Sequence, residues 1–347
     1  VNAAESKLFQ EAHQAPSVVE QTLRENQREI AQLGAFLRRH PPPFVLTVAR
    51  GSSDHAALYG KYLFETLLGR VCSPATPSVH TVYGQRLALN RALLIAISQS
   101  GQSPDLIEVT RQARREGALT LALVNQSESP LAQAAEVVLP LLAGPEEAVA
   151  ASKSYLASVA LLAQLAAAWA EDKPLQEALA RLPEALHQAL QADWQAGLEA
   201  LLEAERGLVV GRGYAFAVAQ ELALKLKETS AFQAEALSAA ELWHGPLALV
   251  EEGFPLLVLA PRDKPLPGLL EGLETLRGKE AHLLVASSEA EALALAHTPL
   301  PLPIRLYPVL DPILLAQAFY PFAVQLALAR GRNPDAPRHL SKVTRTR

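Results

Sequence analysis

A chain of 347 residues, half of them hydrophobic and 19% charged, has material for about two cores of ordinary domain size, which excludes disorder over most of its length. A net charge of −5 with scattered basic residues argues against a nucleic-acid surface. A single cysteine, Cys72, excludes an intrachain disulfide and a multi-cysteine metal centre.

The opening run VNAAESKLFQEAHQAP lacks the charged-then-apolar layout of a secretory signal. The longest apolar stretch, around Tyr155 to Ala170, is short for a membrane span. A soluble, cytoplasmic protein without membrane or nucleic-acid partners is expected. Ser17 to Leu37 carries Val18, Leu23, Ile30, Leu33 and Leu37 on one helical side, and His40-Pro41-Pro42-Pro43 stops it. Phe44 to Val48 then reads as a strand, followed by Arg50-Gly51-Ser52-Ser53-Asp54 and a helix to Leu68. Strand, glycine turn, helix is the opening unit of a doubly wound sheet.

The unit repeats. Ala92 to Ile97 is a continuous apolar run, as in a strand buried on both faces, and a helix to Arg115 follows it. Further strands are expected at Leu119 to Val124 and Glu136 to Leu141. From Glu146 to about Ala204 the pattern is helical, with Pro174 and Pro183 as expected breaks. Leu208-Val209-Val210-Gly211-Arg212-Gly213 then echoes Leu46-Thr47-Val48-Ala49-Arg50-Gly51, an internal duplication of the α/β unit. Strands at Pro255 to Ala260 and Ala281 to Val285 and a closing helix from Asp311 to Arg330 complete the second half. The fold class is therefore α/β, with two tandem doubly wound parallel sheets and helices on both faces. The boundaries expected are a helical segment 1–40, domains 41–190 and 191–330, and a tail 331–347 in which Lys342, Arg345 and Arg347 are locally basic.

Two stretches carry chemistry. Ser98-Gln99-Ser100-Gly101-Gln102-Ser103 joins a buried strand to a helix, where unpaired N–H groups, hydroxyls and a glycine suit a phosphate monoester. A capped helix with Ser103 as N-cap and Pro104 after it is the structural alternative, and it leaves Ser98 and Ser100 without a reason. Ser52 and Ser53 close the first strand in the equivalent place, either as caps or as a lining of the same crevice. The second half has no serine-rich counterpart, so one phosphate site is expected. The other stretch, Gln220 to Val250, starts as a helix with Glu221, Lys225 and Glu228 at helical spacing and ends on Trp243-His244-Gly245-Pro246. On its own it reads as a charged surface helix with Glu221 and Lys225 as an i,i+4 pair, or as a set of proton-transfer groups. No GxxxxGK[ST], GxGxxG or GxSxG motif and no metal-ligand spacing is present, so neither a metal nor another cofactor is expected.

RGSS at 50–53, SQSGQSPD at 98–105, AGPEEAVAASK at 143–153, ALKLKETSAFQAEALSAAELWHGPLAL at 223–249 and DAPRHLSKVT at 335–344 together resemble the tandem sugar isomerase (SIS) domain family. Within it they are most similar to the isomerase half of glucosamine-6-phosphate synthase and to stand-alone glucosamine-6-phosphate deaminases. The resemblance implies a phosphate held by Ser98, Gln99, Ser100 and Ser103, with Ser52, Ser53, Val149 and Ala151 near the sugar. It implies a proton shuttle between C1 and C2 at Glu228 supported by Lys225, ring opening by His244 reaching in from a second subunit of a homodimer, and an imine-forming Lys342. Ala151-Ser152-Lys153 departs from the usual Ser-Thr-Lys run, and Ala240 and Trp243 stand where synthases have Gly and Lys. Only a short helical segment precedes Phe44, and no cysteine nucleophile is there, so glutamine-dependent synthesis by this chain alone is not expected. The resemblance thus points to a glucosamine-6-phosphate deaminase, with another phosphosugar aldose–ketose isomerase or deglycase, or a non-catalytic phosphosugar sensor, as alternatives.

Overall fold

The structure, a computed structural model, describes residues 2–343, so Arg345 and Arg347 of the basic tail lie outside the described residues. The chain forms two compact units, each assembled from more than one segment. The serine-loop unit takes residues 17–146, 153–180 and 341–343. Its strands β1 (Val45–Val48), β2 (Cys72–Pro74), β3 (Leu93–Ser98), β4 (Leu119–Val124) and β5 (Val137–Pro140) form one parallel sheet of order β2-β1-β3-β4-β5. Every residue of β3 is buried, as its unbroken apolar run requires of a central strand covered on both faces. Its longer helices are α1 (Lys7–Arg39, belonging to this unit from residue 17 onward), α2 (Ser52–Leu68), α3 (Pro104–Arg115) and α4 (Lys153–Ala170). The helix α4 packs on α2, where Gly60 lets Leu162 approach closely.

The carboxylate unit takes residues 2–16, 147–152 and 181–340. Its strands are β6 (Arg206–Gly211), β7 (Gln233–Ser238), β8 (Pro255–Leu259), β9 (His282–Ser287) and β10 (Thr298–Pro301). They form a parallel sheet of order β10-β9-β8-β6-β7, which is the order of the first sheet once its strands are counted from β6. Its longer helices are α5 (Lys173–Ala189, which enters this unit at Arg181), α6 (Gln195–Leu201), α7 (Tyr214–Ser230), α8 (Leu266–Arg277) and α9 (Asp311–Ala329). By length and composition α9 could cross a membrane, but 78% of its apolar window is buried inside the protein, as in a core helix packed on α7. The duplication read from LTVARG and LVVGRG extends to backbone angles. Gly51 (φ 56°, ψ −133°) and Gly213 (φ 62°, ψ −134°) precede α2 and α7, both 17 residues long. Glycine is required at both, because a side chain rarely adopts positive φ there.

Several local expectations are corrected. The first helix begins at Lys7 and not at Ser17, and Pro16 lies inside it. The carboxylate of Asp335 accepts from the Lys7 and Leu8 N–H groups at 2.9 Å each and from Ser6 Oγ at 2.7 Å, a cap that arrives from the far end of the sequence. Pro16 cannot donate to Ala12, whose carbonyl instead accepts from Gln317 Nε2 at 3.0 Å. The helical region after Glu146 is interrupted at Glu171, with φ 55°, and Asp172, which caps α5 through Leu175 N–H. Pro174 is the second residue of α5 and Pro183 lies within it, so neither proline makes the break. The strands β2, β7 and β10 have no clear sequence signal. All three are edge strands, and Pro74, Pro299 and Pro301 fit there because an edge leaves N–H positions unused. Segment 147–152 and the first residues of the chain fall in the carboxylate unit, so the units do not follow a single cut near residue 190.

Candidate active site

In the serine-loop unit, the loop after β3 turns sharply at Gly101, with φ 64°. A Cβ there would lie 2.1 Å from Ser129 Oγ, so only glycine fits. Ser98 Oγ accepts from Gly101 N–H at 3.0 Å and Ser100 Oγ from Gln102 N–H at 3.3 Å, which folds the loop back on itself. Ser103 is the N-cap residue of α3, yet its side chain makes no capping hydrogen bond, so the cap alone does not account for its hydroxyl. Ser52 and Ser53 are the first residues of α2, and its N-cap is Gly51, which corrects the capping alternative for both serines. Arg50, just after β1, donates to the buried Asp105 carboxylate through Nε (3.0 Å) and Nη2 (2.7 Å) and so ties the β1 turn to the first turn of α3.

A cleft of about 400 Å³ opens on this loop, lined by Gln99, Ser100, Gln102, Gln126, Ser129 and Lys342 among others. Lys342 Nζ donates to Glu146 Oε2 at 3.0 Å. Glu146 is buried and also accepts from Ser154 Oγ (2.7 Å) and Ser154 N–H (3.1 Å). Burial pushes this carboxyl up, but the Lys342 charge and the Ser154 hydrogen bonds outweigh it and hold the group below the usual glutamate range.

In the carboxylate unit, α7 turns Glu221, Lys225 and Glu228 toward one another at its three- and four-residue spacings. Lys225 and Glu221 have no solvent exposure, so the charged-surface reading of this helix is overturned. Lys225 Nζ donates to Glu228 Oε2 at 2.5 Å and lies 3.5 Å from Glu221 Oε1, which also accepts from Tyr320 of α9 at 3.3 Å. Glu228 is the member of this set that keeps an exposed edge, at 17%, which leaves one carboxylate able to meet a ligand. Lys227, on the opposite side, is exposed. His244 is exposed on a turn beyond β7, between short helices at Glu241–Trp243 and Pro246–Leu249, and no hydrogen bond joins its ring to Lys225 or Glu228. Val149 and Ala151 are half-buried in the segment 147–152 of this unit.

The structure therefore gathers Ser100, Gln99 and Lys342 at one cleft, and Lys225 with Glu228 in one network. Sequence reasoning missed Glu146 and Tyr320. The signal for Glu146 was the acid pair Glu146-Glu147 inside the otherwise small and apolar run Ala143-Gly144-Pro145 to Ala151, and for Tyr320 a lone phenol in an almost wholly apolar helix.

Comparison with known proteins follows the same lines. The SIS domain profile matches residues 44–168 and 200–293. The isomerizing glutamine–fructose-6-phosphate aminotransferase of Thermococcus kodakarensis is 32% identical over 351 residues, covering 96% of this chain and 57% of that protein. The Thermus thermophilus enzyme of the same name is 33% identical, covering 96% of this chain and 58% of its own. The chain thus spans little more than half the length of these relatives. A solved structure from Silicibacter pomeroyi, provisionally named a phosphosugar isomerase, is 39% identical with a TM-score of 0.88, covering 95% of this chain and 100% of that one. The glucosamine-6-phosphate deaminase of Thermotoga maritima shares the fold, with a TM-score of 0.78 at 22% identity over 98% of this chain and 100% of that one.

Proposed function

The chain belongs to the SIS domain family, and from that premise we propose that it is a phosphosugar-processing enzyme. More specifically, it is a deaminase that converts glucosamine 6-phosphate to fructose 6-phosphate and ammonia. The observation that carries the reading is the cleft where the serine loop and Lys342 meet, because the hydroxyls of Ser100 and Ser129 and the side-chain amides of Gln99 and Gln102 can donate to a sugar phosphate while the Lys342 amine, the imine-forming group of this reading, stands at the same opening. Ser98, Gln99, Ser100 and Ser103 hold the phosphate, with Ser52, Ser53, Val149 and Ala151 along the sugar. Glu228 moves the proton between C1 and C2, and its contact with Lys225 keeps the carboxylate oriented. The resulting imine is hydrolysed, C–N cleavage releases ammonia, and water supplies the C2 oxygen of the ketose.

His244 opens the sugar ring, a role that suits an imidazole near neutral pH. Its exposed position fits a contribution to the site of a second copy in a homodimer. Mixing inactive Glu228→Gln and His244→Ala proteins restores activity if subunits exchange and the site is shared; confirmed mixed dimers that stay inactive count against sharing. A second reading, aldose–ketose isomerisation of another phosphosugar, is favoured by the name of the 39% identical relative. A panel of phosphosugars separates the two. Ammonia from glucosamine 6-phosphate supports the deaminase, ketose formed without ammonia from another aldose phosphate supports the isomerase, and no turnover of any member sinks the enzymatic reading.

A further inference from the structure

Glu146 has no role in the chemistry above, yet it is among the most constrained acids of the serine-loop unit. Its side chain is fully buried, its two oxygens are engaged by Ser154 Oγ, Ser154 N–H and Lys342 Nζ, and Ser154 sits in the first turn of α4. Ser154 is itself buried and its carbonyl accepts from Ser158 Oγ one turn on, so the anchor belongs to the rigid part of the unit. Lys342 contrasts with this anchor. It lies in a segment without helix or strand, flanked by the exposed Ser341 and Val343, and is half-buried only at the serine-loop cleft. A long, flexible amine on an irregular segment loses rotamer freedom when fixed, and a rigid carboxylate that accepts from it offsets part of that loss.

We propose that Glu146 is the positioning residue for Lys342: the buried carboxylate, fixed by Ser154, docks the C-terminal segment so that Nζ stands at the serine-loop cleft in reach of the open-chain sugar. This rests on the reading of Lys342 as the imine-forming amine. In that step the deprotonated Nζ bonds to C2 of the ketose phosphate and the carbonyl electron pair moves to oxygen. The two amine protons and that oxygen then leave as one water as the C=N bond forms. Lys342 must release Glu146 to react, so the carboxylate sets where the amine waits and from which side it approaches.

The test is borohydride trapping with fructose 6-phosphate, which adds hydride to the imine carbon and fixes the adduct for peptide mass mapping. Sugar-phosphate affinity is measured in parallel by calorimetry. The wild-type protein acquires an adduct at Lys342. Glu146→Gln acquires it at least tenfold more slowly with affinity changed less than threefold. Glu146→Asp recovers part of the rate, and Ser154→Ala, which keeps the carboxylate and removes one anchor, is slowed about threefold. Trapping of Glu146→Gln at the wild-type rate overturns the proposal, as does an equal loss of trapping and affinity, the mark of a merely structural loop. Should Glu146→Gln fail to fold, Ser154→Ala decides, and an unchanged rate there is equally fatal. A wild-type protein that turns over sugar without any adduct at Lys342 overturns the imine reading itself, and the proposal with it, before any variant is compared.

Discussion

The two units have sheets of the same strand order and first helices that start from glycines with nearly the same angles, yet their chemistry differs. In the serine-loop unit the loop after the third strand in chain order is Ser98 to Ser103. In the carboxylate unit the equivalent loop after β8 is Ala260-Pro261-Arg262-Asp263-Lys264-Pro265, whose two prolines remove N–H donors and which has no hydroxyl. The first helices differ in the opposite sense. Counted from each start, the places of Glu221, Lys225 and Glu228 in α7 are taken in α2 by Tyr59, Leu63 and Thr66. Tyr59 and Leu63 are fully buried like their charged counterparts, so the same helical face is filled by uncharged side chains in one unit and by an ion network in the other. A buried charge pair is no better a stabiliser than well-packed apolar side chains. Stability alone therefore does not call for the network.

Three tests sharpen that contrast. The largest effect is expected at Glu228→Gln, which lowers turnover of the phosphosugar by about 10²–10⁴-fold with little change in its affinity. Thr66→Ala, at the matching place in α2, leaves turnover unchanged. Steady-state kinetics and calorimetry read both, and a Glu228→Gln protein with wild-type turnover removes the argument that the α7 network is catalytic.

Next comes Gly101→Ala. Its new methyl meets Ser129 Oγ at 2.1 Å on a backbone with positive φ, for a cost of about 3 kcal/mol. Thermal unfolding falls and the Kd for sugar phosphate rises at least tenfold. Lys264→Ala in the counterpart loop moves neither, and equal effects of the two changes would contradict a single phosphate cradle.

The smallest effect concerns two buried aspartates. Asp105 receives two hydrogen bonds from Arg50, whereas Asp311 has Arg262 no closer than 3.7 Å and one oxygen without a hydrogen bond. Burial pushes the Asp311 carboxyl up to about 6, against the pull of the Leu306 and Tyr307 N–H groups and of Arg262. Below the ordinary aspartate range both folded and unfolded states hold the proton and the site costs nothing. As pH rises toward about 6 the unfolded chain ionises first, and above about 6 the full penalty is present. Asp311→Asn therefore raises the melting temperature at pH 7.5, by an amount that shrinks toward pH 4. A gain that is the same at both pH values would show that ionisation is not the cause.

Much of this was legible in the sequence because it is local. The apolar run of β3, the glycine turns after β1 and β6 and the helix α3 after the serine loop follow from side-chain period and backbone freedom over a few residues. The start of α1 was not legible, because the group that satisfies its first N–H donors is Asp335. The edge strands β7 and β10 were not legible either, since an edge needs little apolar periodicity and tolerates proline. Glu228 stood out by its spacing from Lys225, but nothing in the helix itself decides whether that face meets water or α9.

By itself, then, the sequence determined the α/β class, the duplication, and a loop chemistry suited to phosphate, all of which are encoded within single segments. Tertiary structure alone decided that Glu221 and Lys225 are buried, that Tyr320 joins them, and that Glu146 holds Lys342 at the serine loop. The physical reason is that burial and pairing of charge depend on which segments meet. Those partners lie about a hundred or more positions apart in the chain, where no local period reaches.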